Sequence, residues 1–550
     1  RQVAGRIRVD NTNSLYTEKL YATSNPTLLE NSKKGKYTET RGEERQTYGD
    51  VMLNLSKTFK EKFSLDAHIG ASIKDNRFDE LSVYGPIAGA PNIFNVVNLD
   101  KSQKKTPKTG WHEQTQSFFY SLELGWKSQL FVTTTGRNDW ASQLANSPQK
   151  SFFYPSVGVS WLPSSTFNFP EKFNYLKIRA SWASVANPFP RELTIATHPY
   201  DDTISGWDDK SNYPIGQLYP ERTKTWELGF DARFLHGFTL SASWYRADTY
   251  NQTFNPNLSA SSGYSDIYIQ TGHVRNTGVE ASLGYDHQWK NWNWNSQFTF
   301  SWNKNKIIEL CKEWYNPITE ETITMNRLQI SKLGRAKFIL KEGGSMGDLY
   351  STTDLRRDDK GNIEIDEGGN VVVEDNLPDM KLGSVFPDYN LAWRNSVSWK
   401  NLNLGFLVTA RIGGIVNSLT QANMDLFGVS EATAAARDAG GALVNGRSLV
   451  NPETWYTAIA SQGGIPQYYT YSATNVRLQE LSLGYTIPRK WLHNVCSITV
   501  SFVGRNLWMM YCKAPFDPEA VASTNNFYQG MDYFMMPSTR NLGFNINIKF

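Results

Sequence analysis

Apolar and polar residues alternate with a period of two along much of this chain. In Trp226-Glu227-Leu228-Gly229-Phe230-Asp231-Ala232-Arg233-Phe234, every even position is apolar and every odd one is small or polar. Phe238, Leu240, Ala242 and Trp244 alternate with Thr239, Ser241 and Ser243. Trp292, Trp294, Phe298, Phe300 and Trp302 alternate with Asn293, Asn295, Gln297, Thr299 and Ser301. The chain ends in the same rhythm, with Leu542, Phe544, Ile546, Ile548 and Phe550 set among polar or small residues. Successive strand side chains point to opposite faces. Each run therefore needs an apolar medium on one side and a polar one on the other. About sixteen runs carry strand signals, which predicts an all-β fold.

The connections sharpen that expectation. Very short turns are predicted near Lys60–Lys62, Lys127–Ser128, Leu235–Gly237, Lys290 and Lys400–Asn401. Longer connections are predicted at about 85–110, 186–218, 251–270, 310–386, 417–470 and 512–536. Short and long connections alternate, as in an antiparallel up-and-down sheet with tight turns on one rim and long loops on the other. With strands of about ten residues or more, that describes a transmembrane β-barrel. Trp111, Trp126, Trp140, Trp161, Trp289, Trp399 and Trp491 stand at strand ends, where amphipathic rings meet a membrane–water interface. The rival reading is a soluble sandwich or propeller with tryptophans in its core. The one helix suggested is Val429–Ala439, rich in alanine, capped by Ser430 and ended by Gly440-Gly441.

Composition removes other classes. The 550 residues contain 13% aromatics, which argues against disorder. No run of about 18 apolar residues exists, so no membrane-spanning helix is predicted. Mean hydropathy is nevertheless −0.49, as expected if one face of every strand is polar. The net charge of +3 gives no footprint for nucleic acid. Cys311, Cys496 and Cys512 are expected to be free thiols, because about 50 Å of extended chain separates the last two. The opening RQVAGRIRVDN reads as the middle of a strand, so the chain is expected to be a piece of a longer protein.

Motifs of catalysis and metal binding do not assemble. Gly343-Gly344-Ser345-Met346-Gly347 has the spacing of a nucleophile elbow, but no helix start follows it. His112-Glu113 opens an H-E-x-x-H pattern that Gln116 ends on an alternating segment. Asp358-Asp359-Lys360-Gly361-Asn362 invites a calcium reading, yet EF-hand alignment puts Arg356 and Lys360 at ligand positions. A hairpin turn between Leu355 and Val373 is the default, with an irregular calcium loop left open. No catalytic residue, metal or cofactor is predicted. Lys177, Arg179, Glu227, Asp231, Arg233, Glu280, Asp286 and Arg411 fall on the polar face and would line a lumen.

Several segments together resemble the SusC/RagA family of TonB-dependent outer-membrane transporters of Bacteroidota. They are Arg137-Asn138-Asp139-Trp140, FFYPSVGVSWLPS (152–164), LKIRASWASVANP (176–188), ERTKTWELGFDARF (221–234), NTGVEASLGYDHQW (276–289) and SWNKNKI (301–307). KLGSVFPDYNLAW (381–393), NVRLQELSLGYTIP (475–488), VSFVGRNLWMMYCKAPFDPE (500–519) and RNLGFNINIKF (540–550) follow in family order.

The resemblance implies a barrel of roughly 22 strands around an N-terminal plug. Residues 1–550 would be its C-terminal part, with the plug and some strands lying elsewhere. It also implies import of oligosaccharides, glycans or peptides across the outer membrane of a Gram-negative cell. A SusD-like surface lipoprotein would act as lid, and the TonB–ExbB–ExbD complex would supply energy through the N-terminal part. Further implied partners are outer-membrane lipid, the outer-membrane assembly machinery (which would read Phe550 as a sorting signal) and a second transporter–lid pair in a homodimer.

Substrate contacts are expected from the long loops, where rings stack on sugar faces and polar groups bind hydroxyls. The candidates are Arg137, Asp139, Trp140, Tyr200, Trp207, Trp314, Tyr315 and Phe427. Each also has a plainer reading as a lid-facing or structural residue. Alternatives to this function are a TonB-dependent siderophore or cobalamin receptor, an outer-membrane barrel enzyme, and a secreted carbohydrate-binding module.

Overall fold

The computed structural model describes residues 2–23, 33–60, 62–191, 193, 200–201, 206–207, 212–213, 218–254, 266–316, 320–523 and 528–550. The predicted connections at 186–218 and 251–270 lie largely outside them, and residue 61 of the first predicted turn does too. Sixteen strands form one antiparallel sheet in chain order. They are β1 Gln2–Leu20, β2 Lys36–Phe59, β3 Phe63–Pro86, β4 Lys108–Trp126, β5 Leu130–Ala141, β6 Phe152–Trp161, β7 Phe173–Asn187 and β8 Glu221–Phe234. β9 Phe238–Phe254, β10 Ile269–Trp289, β11 Trp292–Glu309, β12 Tyr389–Trp399, β13 Leu402–Ile412, β14 Asn475–Ile487, β15 Ser497–Cys512 and β16 Asn541–Lys549 complete it.

Two compact units divide the chain. The first comprises Arg1–Val159, Ser181–Lys224 and Asn257–Gln270, and the second the remainder. In the first unit the strand register sorts side chains into two opposed faces. One face carries the paired rows Phe59–Phe63–Trp126–Leu130, Leu55–Ala67–Leu122–Thr134, Val3–Leu53–Ile69–Tyr120–Gly136 and Ile7–Gly49–Ile73–Gln116–Trp140. Val3, Ile7, Val51, Leu53, Ile69, Ile73, Phe118 and Trp140 are all exposed on it. From Phe59 to Gly49 the band runs about 33 Å along β2. A strand tilt of about 40° brings that to about 25 Å in height, the thickness of the apolar band of an outer-membrane barrel. Rings mark both rims, with Phe59, Phe63 and Trp126 at one and Trp140 at the other.

In the second unit, Trp289, Trp292, Trp399, Leu402 and Tyr485 pair in one row at the short-turn ends. Trp292 and Trp399 stack there with ring centroids 5.7 Å apart. The tight turns place non-glycine residues in left-handed conformation: Lys60, Lys127, Ser128, Leu235, His236 and Lys400 all have φ between 48° and 55°. Two-residue hairpin loops need that geometry, because their backbone twist then matches the strands they join.

Three connections of the second unit fold into a body of their own, built from residues between β11 and β12, β13 and β14, and β15 and β16. Ile415–Ser418 pairs with Thr470–Ser472 on one side and Met531–Asp532 on the other. Helices α1 Leu419–Leu426, α2 Glu431–Asp438 and α3 Pro452–Ala460 pack there. Leu355, Val371, Ala422, Ile459, Ala460, Ile465 and Tyr469 form one core, and Ala336, Phe338, Leu349, Val385, Leu419 and Met531 another. The suggested alanine-rich helix is α2: the Ser430 side chain accepts from the Thr433 amide, and Gly440 follows at φ 77°. Helices α1 and α3 were not foreseen, although Ser418 and Asn451 cap them and Pro452 begins α3.

Candidate functional site

The face opposite the apolar band is polar and paired. In the first unit the row Arg6–Asp50–Ser72–Ser117–Asp139 crosses five strands, and its members from Asp50 to Asp139 are buried. Arg6 Nε lies 3.1 Å from Asp50. Arg137 donates to Asp139 at 2.7 Å and to the Ser117 hydroxyl at 2.6 Å, and its guanidinium covers the Phe119 ring. The Tyr154 hydroxyl donates to the other Asp139 oxygen at 2.7 Å. Both Asp139 oxygens are thus engaged, and the carboxylate holds Arg137 in place.

The structure moves three candidates. Arg137, Asp139 and Trp140 lie within β5 rather than in a long loop. Trp140 also points away from the other two, because neighbouring strand residues face opposite sides. It sits 48% exposed at the rim of the apolar band. Tyr200 and Trp207 are backbone partners in a small two-stranded ladder, and their side chains lie outside the described part.

In the second unit Trp314 and Tyr315 stand on the hairpin Cys311–Asn316 with Glu321–Met325, where Tyr315 is exposed. Phe427 follows α1 and is 75% exposed on the loop body. Phe550 is exposed just beyond β16.

The second unit's polar face gathers several of the lumen residues. Arg179 bonds Asp231 at 2.7 Å and stands 3.7 Å from Glu227, and the Ser241 hydroxyl donates to Asp231 at 2.6 Å. A cavity of about 690 Å³ opens beside them, lined by Arg179, Ser241, Glu280, Asn390, Arg411 and Glu519 among others. Glu519 was not foreseen. It reaches the wall from the last connection and accepts from Arg477 at 3.3 Å and from the Asn475 amide at 3.2 Å. Nothing in the sequence ties Arg477 on β14 to Glu519 in the last connection.

The motifs weighed against catalysis have structural tasks. The Ser345 amide donates to Asp348 and its hydroxyl to Asn305, which fixes a glycine turn. His112 pairs with Asp75 at 2.9 Å. Leu355 pairs with Val373, as the hairpin reading predicts. Within that hairpin Asp358 accepts from the amides of Lys360 and Asn362, and Asp366 from that of Asn370. Each aspartate is folded onto its own turn. Among the described residues no group of three His, Cys, Asp or Glu could hold a metal ion, and no helix is long and apolar enough to cross a membrane, which says nothing of strands.

A sheet with an exposed apolar band on one face and paired charges on the other is the wall of a membrane-spanning β-barrel protein. Residues 4–507 match the family described as TonB dependent receptor-like, beta-barrel, and the chain belongs to that family. It is a family of outer-membrane receptors and transporters, not of enzymes. The chain is 26% identical over 577 residues to TonB-dependent receptor P3 of Formosa agariphila, covering 95% of this chain and 55% of that protein. It is 21% identical over 404 residues to TonB-dependent receptor SusC of Bacteroides thetaiotaomicron, covering 68% and 38%. The solved structure of the RagAB peptide importer in the open–open state superposes with a TM-score of 0.77 at 18% identity, covering 100% and 59%. The chain thus spans about half the length of the curated relatives it matches.

Proposed function

We propose that this chain is the barrel part of a TonB-energised importer that carries oligosaccharides or peptides across the outer membrane beneath a SusD-like lipoprotein lid. The observation that carries this reading is the wall itself: in the first unit an apolar band stands opposite a row of paired polar side chains, and in the second the charged face opens on a cavity lined by Arg179, Glu280, Arg411 and Glu519. Such a wall suits passage of a polar solute past a plug supplied by the rest of the protein. The long connections then form the extracellular rim, and the loop body built from three of them presents Phe427, Val429, Leu443 and Leu449, all more than 60% exposed, to the lid. Arg137, Tyr315 and Phe427 stay as substrate or lid contacts, and Asp139 positions Arg137. The names of SusC and of the RagAB peptide importer support the substrate classes without choosing between them.

The test is uptake of labelled oligosaccharides and peptides by cells that carry or lack the gene. Uptake of one class should vanish on deletion and on collapse of the inner-membrane proton gradient. Uptake of both classes unchanged by deletion would refute the reading.

A further inference from the structure

The outward face of β1–β5 is not a uniform apolar surface. Over Gly49 and Ala71 it sinks into a groove of about 720 Å³, walled by Ile7, Val51, Ile73, Phe118 and Trp140, and Gly5 pairs with Val51 of that wall. The fold does not require these glycines. Neither has a positive φ. A Cβ on Gly49 would meet only Ile73 at 3.7 Å and the Arg6 carbonyl at 3.9 Å, and one on Gly5 only the Asp50 carbonyl at 3.9 Å. These are ordinary contacts, so larger side chains would fit, and their absence keeps the groove open.

Four residues further along the strands, about 13 Å away, the same face carries the paired row Asn11–Arg45–Arg77–His112. Here Arg77 leans on Asp79 at 3.1 Å and His112 on Asp75 at 2.9 Å. Arg45 is exposed and makes no ion pair with a described residue. Glu43 and Asp79 occupy the next row out, which confines an anion to the Arg45 row. An apolar groove at the rim of the band, with a guanidinium at headgroup height above it, matches a lipid whose phosphate lies just above its acyl chains.

We propose that this face holds a phosphate-bearing, multiply acylated glycolipid of the outer leaflet, with one acyl chain in the groove and a phosphate on Arg45. Arginine offers phosphate a bidentate pair of donors. The choice of leaflet rests on the proposed orientation, with long connections outside; the groove and the row do not.

The test extracts the full-length protein from outer membranes in mild detergent and counts retained lipids by native mass spectrometry. Wild type should keep about one phosphorylated glycolipid per chain. Gly49→Leu, which fills the groove, and Arg45→Glu, which repels the phosphate, should each lower that count at least fivefold. His68→Gln on the opposite face should not change it. Heat-dependent gel migration reports folding of each variant, and Arg45 lies outside the apolar band, so Arg45→Glu serves even if Gly49→Leu misfolds. A wild type that keeps no glycolipid, one that keeps glycerophospholipid in its place, or an Arg45→Glu variant with an undiminished count would overturn the proposal. Nutrient uptake is measured separately, so failure of the import reading and failure of this one are distinguishable.

Discussion

Arg477 on β14 grips Asp517 in the last connection with both terminal nitrogens, Nη2 to Oδ1 at 2.8 Å and Nη1 to Oδ2 at 3.1 Å. The Arg477 side chain is 5% exposed and that of Asp517 10%. Burial by itself would raise the Asp517 carboxyl, but the hydrogen bonds from Arg477 and from the Glu519 amide hold it below its ordinary 3.8. The pair ties a long connection to the polar side of the wall.

Removing Asp517 leaves the buried Arg477 only the more exposed Glu519, 3.3 Å away, a loss of up to about 3–5 kcal/mol. Asp517→Ala should therefore lower the urea midpoint of the purified protein, whereas the paired exchange Arg477→Met with Asp517→Leu should restore most of the loss. An unchanged midpoint in Asp517→Ala would show that the pair contributes nothing.

The loop body should respond to acid through Asp379. Arg327 donates to it at 2.5 and 2.8 Å and Lys341 at 2.9 Å. The Arg327 hydrogen bond is the main reason its carboxyl lies well below the ordinary 3.8. A carboxyl depressed on folding stabilises at pH values above its unfolded pKa, and that stabilisation is lost as pH falls through the folded one. Limited proteolysis within residues 327–384 should thus be slow at neutral pH and accelerate below about pH 4. Asp379→Asn should be cut readily at neutral pH already, with a flatter pH dependence; equal cutting of both proteins at every pH would contradict this.

Ile69 and its neighbour His68 test the assignment of faces. Ile69 sits mid-band among Leu53 and Tyr120, while His68 bonds Asn54 on the polar face. Arginine on the lipid side near the midplane costs about 2–4 kcal/mol. Ile69→Arg should sharply reduce the heat-modifiable folded form and His68→Arg should leave it nearly unchanged. The reverse order would invert the wall.

Phe427 and Leu443 probe the proposed lid contact. Phe427→Asp combined with Leu443→Asp places charge on surface that the folded chain leaves uncovered, so stability should shift by less than about 0.5 kcal/mol. Co-purification of a surface lipoprotein should fall at least fivefold. Full retention of the lipoprotein would remove these residues from the interface.

Strands and tight turns were legible because they are local. A period of two follows from the backbone, and turns such as Lys127–Ser128 and Leu235–Gly237 fall where the alternation breaks. The loop body was mostly illegible. Helices α1 and α3 are short and gain stability from Ile465 and Tyr469 farther along their own connection and from Leu355 and Val371 of the connection between β11 and β12. Only their caps could have announced them.

Among the candidates, Arg137, Asp139 and Trp140 were found as one motif. Their roles divided only when the β5 register put the first two on the polar face and the third on the apolar rim. By itself the sequence determined that the chain makes a two-faced β-wall, since alternation obliges every strand to present an apolar and a polar side. Which polar residues meet across that wall, Arg477 with Asp517 or Arg179 with Asp231, was decided only by the tertiary structure, because a charge finds its partner through strand register and loop closure over distances no local pattern records.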